Sequence, residues 1–159
     1  MTDSLPDAET SYRVRFYADP NSLTISSTPL VVFNGISGSS TQVIRIEMRK
    51  SGGSFQLQAG LRNDINTWYS TGWTTITDAN HSIEIFWLAS TAPEANSGEI
   101  TFWIDGTQAG RLTGIHNDKR HIDLVHLGVL AGIESATRGT VFFDAFESRR
   151  STYIGPAAP

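Results

Sequence analysis

Apolar residues recur along this chain with a period of two. Tyr12, Val14 and Phe16 alternate with Arg13, Arg15 and Tyr17. Ile44, Ile46 and Met48 alternate with Arg45, Glu47 and Arg49. Phe55, Leu57, Ala59 and Leu61 alternate with Gln56, Gln58, Gly60 and Arg62. Such runs predict strands with one buried and one wetted face, the habit of antiparallel sheets. The stretch IEIFWLAS (83–90) is apolar on both faces over its second half and reads as a central strand. Ile100, Phe102 and Ile104 in GEITFWIDGT form another core-facing set, and HIDLVHLGVLAG (121–132) and GTVFFDAFES (139–148) supply the last strands.

Turn signals punctuate these runs. RKSGGSF (49–55) reads as a hairpin loop. Asp105-Gly106 is the strongest hairpin signal, since both residue types tolerate positive φ. NGISGSS (34–40), TAPEANSG (91–98), HNDKR (116–120) and GIESATRG (132–139) read as loops, and only the last is a candidate for a short helical turn. Many short strands with regular turns predict an all-β sandwich or barrel.

The 159 residues suit one domain. With 39% hydrophobic and 18% charged residues, the chain has enough apolar surface for a packed core. The net charge of −4, with its basic residues scattered, argues against a nucleic-acid partner. The absence of cysteine excludes disulfides and thiolate chemistry. No apolar run approaches the roughly 20 residues of a membrane span. Residues 1–11 read as a polar lead-in without signal-peptide regions, 12–154 as the domain and 155–159 as a linker-like tail of a longer protein.

The order of SYRVRFYADPNSLTI, HSIEIFWLAS, GEITFWIDGTQAGRLTG and GTVFFDAFESRRSTYIGP resembles the concanavalin A-like lectin/glucanase superfamily, in its laminin-G-like and bacterial jelly-roll branches, over nearly the whole chain. The resemblance implies an antiparallel two-sheet β-sandwich of the concanavalin A-like jelly-roll type, with one concave sheet able to bind a glycan. It implies an extracellular or cell-surface setting of bacterial type. It also implies an extra first strand beside the C-terminal strand. Little chain precedes Tyr12, so an open edge completed by a partner or neighbouring segment is expected.

Glucanases of this superfamily carry a Glu-x-Asp-x-Glu-like strand, which this chain lacks. Asp144 and Glu147, three apart, are expected on opposite strand faces. No catalytic residue is therefore assigned, and the chain is expected not to be an enzyme. His121 and Asp123 share a strand face, with His116 in the loop before them. A zinc site needs three converging ligands, and ordinary loop and edge histidines are expected instead. Asp144 in FFDAF resembles the calcium-binding acid in the terminal strand of several carbohydrate-active sandwiches, making it the candidate ligand of a structural calcium. The alternative is a loop hydrogen bond or a pair with Arg149 or Arg150.

Trp103 alternates with the core-facing residues of its strand and so stands on the polar face. A ring to stack on a sugar, with fixed planar polar groups beside it, is what carbohydrate recognition requires. The candidate platform is Arg45, Glu47, Gln56, Gln58, Arg62, Glu84, Thr101 and Trp103, rimmed by Trp68, Tyr69 and Trp73. Alternatively, Trp103 is covered by NTWYSTGW or by the chain before Tyr12; Trp73 and Trp87 are expected in the core. The expected function is a non-catalytic carbohydrate-binding or adhesion module, with a glycan and other domains of a parent protein as partners. A structural or assembly module of a surface or virion structure is the alternative, and a polysaccharide-cleaving enzyme is third.

Overall fold

The computed structural model describes residues 1–157, with Pro6 described in its backbone alone. Twelve strands follow one another: β1 (Thr2–Glu9), β2 (Ser11–Asp19), β3 (Leu30–Ser37), β4 (Thr41–Ser51), β5 (Ser54–Arg62), β6 (Trp68–Ser70), β7 (Thr74–Ile76), β8 (His81–Leu88), β9 (Gly98–Ile104), β10 (Thr107–Ile115), β11 (Ile122–Ala131) and β12 (Phe142–Arg149). All pairings are antiparallel. A seven-stranded sheet runs β1-β11-β3-β4-β5-β6, with β7 also on β5. A five-stranded sheet runs β10-β9-β8-β2-β12. No helix occurs among the described residues. The chain is an antiparallel β-sandwich of jelly-roll type.

The period-two residues meet between the sheets. Ile44, Ile46, Leu57 and Leu61 of the larger sheet and Phe16, Ile83, Ile85, Trp87 and Phe102 of the smaller one are fully buried. Phe16 of β2 stacks on Phe33 of β3 with ring centroids 5.6 Å apart, joining the two sheets. IEIFWLAS holds β8, the middle strand of its sheet, as its two apolar faces predict. The β4–β5 hairpin turns at Gly52 and Gly53 (φ 58° and 83°), and the β9–β10 hairpin at Asp105 and Gly106 (φ 52° and 77°). Both backbone pairs suit the right-handed twist of the flanking strands.

Several expectations are corrected. The polar lead-in contains β1, which pairs with β11 in the seven-stranded sheet rather than with the C-terminal strand, and β12 ends the five-stranded sheet. The β1 register breaks between Ser4 and Glu9, around a proline that an edge strand tolerates. NGISGSS begins inside β3, which runs to Ser37. Asp144 and Glu147 oppose Tyr17 and Arg15, two residues apart on β2, so they share a face. A bulge at Ala145 (φ 47°) absorbs the extra residue. Trp73 lies outside the core, its ring under the Arg49 guanidinium at 4.1 Å. Of the tail, residues 155–157 lie against the five-stranded sheet, where the Gly155 amide donates to Glu84 and the Ala157 amide to Tyr17. Residues 158 and 159 lie outside the described residues.

Candidate functional site

Register decides which polar residues meet, because residues directly opposite on neighbouring strands share a face. One row crosses six strands of the larger sheet: Thr2 (β1), His126 (β11), Asn34 (β3), Arg45 (β4), Gly60 (β5) and Ser70 (β6). Glu47 faces Gln58 in the next row, and Arg49, Gln56 and Thr75 form the one beyond. At the near end Arg62 faces Trp68. Arg45, Glu47, Gln56, Gln58, Arg62 and Trp68, all anticipated from the alternation, thus stand together on the outer face of one sheet.

Polar contacts fix these groups. The Glu47 carboxylate, mostly buried, accepts from Gln58 Nε2 at 2.6 Å through Oε2 and holds the Arg45 guanidinium at 3.2 Å through Oε1. Arg49 Nε donates to Gln56 Oε1 at 2.8 Å. Farther along, Asn34 Oδ1 lies 3.0 Å from His126 Nδ1. Two guanidiniums approach the Trp68 ring, Arg45 at 4.2 Å and Arg62 at 5.9 Å from its centroid. Each such cation–π contact contributes roughly 0.5–1 kcal/mol where exposed. Gly60 makes room for this stack: a Cβ there would stand 3.5 Å from the Trp68 ring and 3.3 Å from the Tyr69 carbonyl oxygen. Three arginines against one glutamate make the face locally cationic on a chain of net charge −4.

Other anticipated residues lie elsewhere. Tyr69 opposes core-facing Leu61 and points to the other side of its sheet. Trp103, Thr101 and Glu84 belong to the five-stranded sheet. There Trp103 packs beside Tyr153, with ring centroids 5.8 Å apart, and under the Arg13 guanidinium at 4.8 Å. Asp144 is exposed, and its Oδ1 accepts from the Ala145 amide at 2.6 Å. His121 pairs with Asp123 at 3.0 Å, and His81 with Asp105 at 2.6 Å. His116 lies apart from His121 in its contacts and turns towards Asp64 and Asp118. Asn34 and His126 were missed as face residues: NGISGSS reads as a loop, and His126 carries no signal until β11 is known to pair with β3.

No family model matches the sequence, and no curated protein does. Solved structures do. Alginate lyase Aly36B superposes with a TM-score of 0.64 at 12% identity, covering 89% of this chain and 70% of that one. Alginate lyase vAL-1 from Chlorella virus gives 0.60 at 12%, over 90% and 72%. The CBM40 of the Ruminococcus gnavus IT-sialidase, bound to α2,3-sialyllactose, gives 0.53 at 11%, over 92% and 79%. These matches overturn the expectation that the chain is not an enzyme. That expectation rested on a missing carboxylate strand, which hydrolysis requires. A lyase cleaves by removing a proton instead, and lyases stand among the similar structures. At these identities the likeness is one of fold: the chain shares the jelly-roll sandwich of sugar-binding and sugar-cleaving proteins.

Proposed function

We propose that this chain is a polysaccharide-binding domain that takes an acidic glycan along the outer face of its seven-stranded sheet. The observation that carries the reading is the Arg45–Trp68 stack braced by Glu47. It offers a ring face for sugar C–H groups and a guanidinium, already oriented, for a sugar carboxylate. Gln58 and Gln56 in the adjoining rows add planar amide groups whose orientations are fixed by Glu47 and Arg49. Alginate, a polyuronate, and sialyllactose, which carries a sialic acid carboxylate, are named with similar structures and share this acidic character. An extracellular or cell-surface setting, and the laminin-G-like branch of the sandwich, accompany the reading.

The test is binding to alginate, polygalacturonate and a neutral arabinan at low and raised salt. Acidic chains are expected to bind the wild type and to lose at least tenfold in affinity with Arg45→Ala or Trp68→Ala, a cost near 1.4 kcal/mol or more. Salt should weaken the binding by screening. Equal binding by both variants would overturn the site, and no binding to any glycan would leave the assembly-module reading.

A second reading, cleavage of the same chain by β-elimination, is favoured by one observation. The His126 imidazole stands in the same cross-strand row as the Arg45 guanidinium, separated by Asn34. Elimination from a 4-linked uronate takes a cation on the carboxylate and a base for the C5 proton; the electron pair forms the C4–C5 double bond as the C4–O glycosidic bond breaks, and the departing oxygen takes a proton from water. Appearance of ultraviolet absorbance from an unsaturated uronate product, abolished in His126→Ala, would support it. Binding without product would count against it.

A further inference from the structure

We propose that Asp64, His116 and Asp118 form a divalent-cation site of the zinc class, joining the loop after β5 to the loop after β10. The three residues each bring one ligand atom to within 4.8 Å of the others. His116 Nε2 lies 2.8 Å from Asp118 Oδ1 and 3.8 Å from Asp64 Oδ2. Ligand atoms on a tetrahedral ion with bonds of 2.0–2.2 Å stand about 3.3–3.6 Å apart, a value these separations bracket.

A second observation points to a ligand. His116 Nε2 and Asp118 Oδ1 are both buried and without a hydrogen-bond partner among the described residues, although they face each other. The Asp118 side chain is only 10% exposed and that of Asp64 only 3%. Buried polar atoms are nearly always satisfied, and a shared cation satisfies both. The facing carboxylate oxygens of Asp64 and Asp118 lie within 4.8 Å of one another. Arg120 does not fill the gap: it donates to the carbonyls of Asn63 and Asp64 and to Asn66, and its Nε stands 3.7 Å from the other oxygen of Asp64, Oδ1.

The loops are held in place before any ion arrives. Asn117, between the two ligands, is fully buried and accepts from the Ser90 amide at 2.7 Å. The Asp64 amide donates to the His116 carbonyl at 3.0 Å, and the Lys119 amide to Asp64 Oδ1 at 3.2 Å. The His116 side chain is 39% exposed, while its Nε2 is buried. One nitrogen with two carboxylates selects zinc over calcium, which prefers six to eight oxygens.

The experiment uses protein stripped with a chelator, titrated with Zn²⁺ and Ca²⁺ by calorimetry and with Co²⁺ by visible absorption. One equivalent of Zn²⁺ is expected to bind more tightly than Ca²⁺ and to raise the melting temperature. Co²⁺ should give the strong bands of a tetrahedral site. Asp118→Asn and His116→Gln should each weaken Zn²⁺ at least tenfold, while His121→Gln leaves it unchanged. Because a loop variant can fail to fold, the wild type is also followed by its histidine ring resonances: of four, His116 alone should respond to Zn²⁺. No binding, unchanged binding in both variants, or a response at His121 or His126 instead would overturn the site.

Discussion

Trp103 and Tyr153 pack with ring centroids 5.8 Å apart, and the Arg13 guanidinium lies over both rings, at 4.8 and 5.3 Å. The tryptophan on the polar face of β9 is thereby covered by the C-terminal tail. Its expected role is packing. Trp103→Ala should destabilise the fold by about 2–3 kcal/mol, below the cost at a fully buried site because the residue is only partly buried. Glycan affinity of the folded fraction should be unchanged. Denaturant melts paired with binding isotherms check both, and a selective loss of binding would return Trp103 to the site.

Beneath this stack, Glu84 Oε1 accepts from Arg13 Nη1 at 2.7 Å, and the two side chains are 3% and 9% exposed. The same carboxylate receives the amides of Ile154 and Gly155 at 3.1 and 2.8 Å. Glu84→Ala would leave a buried guanidinium unpaired and release the tail. A loss of about 3–5 kcal/mol is expected, a melting shift on the order of 10 °C for a domain of this size. Tyr153 should become accessible to protease cleavage in the same variant. A melting point within a degree or two of wild type would refute the coupling of pair and tail.

These two contacts show what alternation conveys. Period two told the faces of β2, β4, β5 and β9 correctly, because burial of every second residue is a local property of the chain. It could not tell which outer face is wet. Arg13 and Arg15 are over 90% buried because the tail and β12 lie against them, a long-range fact. The platform residues on β4 and β5 were legible because a Gly-Gly hairpin makes these strands neighbours. Asn34 and His126 come from β3 and β11, whose pairing spans ninety-two positions and has no local signature. The Asp144–Glu147 spacing misled because a bulge breaks the period of two. β1 was missed because polar residues about a proline carry no alternation, and its partner strand supplies the order.

Gly60 gives a test of the outer face that removes no ligand-binding side chain. A Cβ at this position stands 3.3–3.5 Å from the Tyr69 carbonyl oxygen, Ser70 Oγ and the Trp68 ring. Gly60→Val adds two methyls to that contact and should push the Trp68 ring off Arg45. The expected outcome is a changed near-ultraviolet tryptophan spectrum and a several-fold loss of acidic-glycan affinity, with a stability change of about 1–3 kcal/mol. Retained affinity with the spectrum altered would detach the stack from binding.

Acid should loosen the loop that joins β2 to β3. Hydrogen bonds from Ser26, then Thr28, hold the Glu134 carboxyl below its ordinary range, and the hydroxyl and amide of Ser22 do the same for Asp78. A carboxyl depressed in the folded state binds protons less readily there than in the unfolded chain. Its stabilisation is therefore complete above the unfolded value and lost as pH falls through the folded one. Glu134→Gln keeps an acceptor but has no proton to gain. The stability difference between wild type and this variant should be constant near neutrality and shrink below the ordinary glutamate range. Melts across that range read the difference, and carbon-detected titration of Glu134 reads the depressed value itself. A gap that widens on acidification would reverse the sign and remove the hydroxyl contacts as its cause.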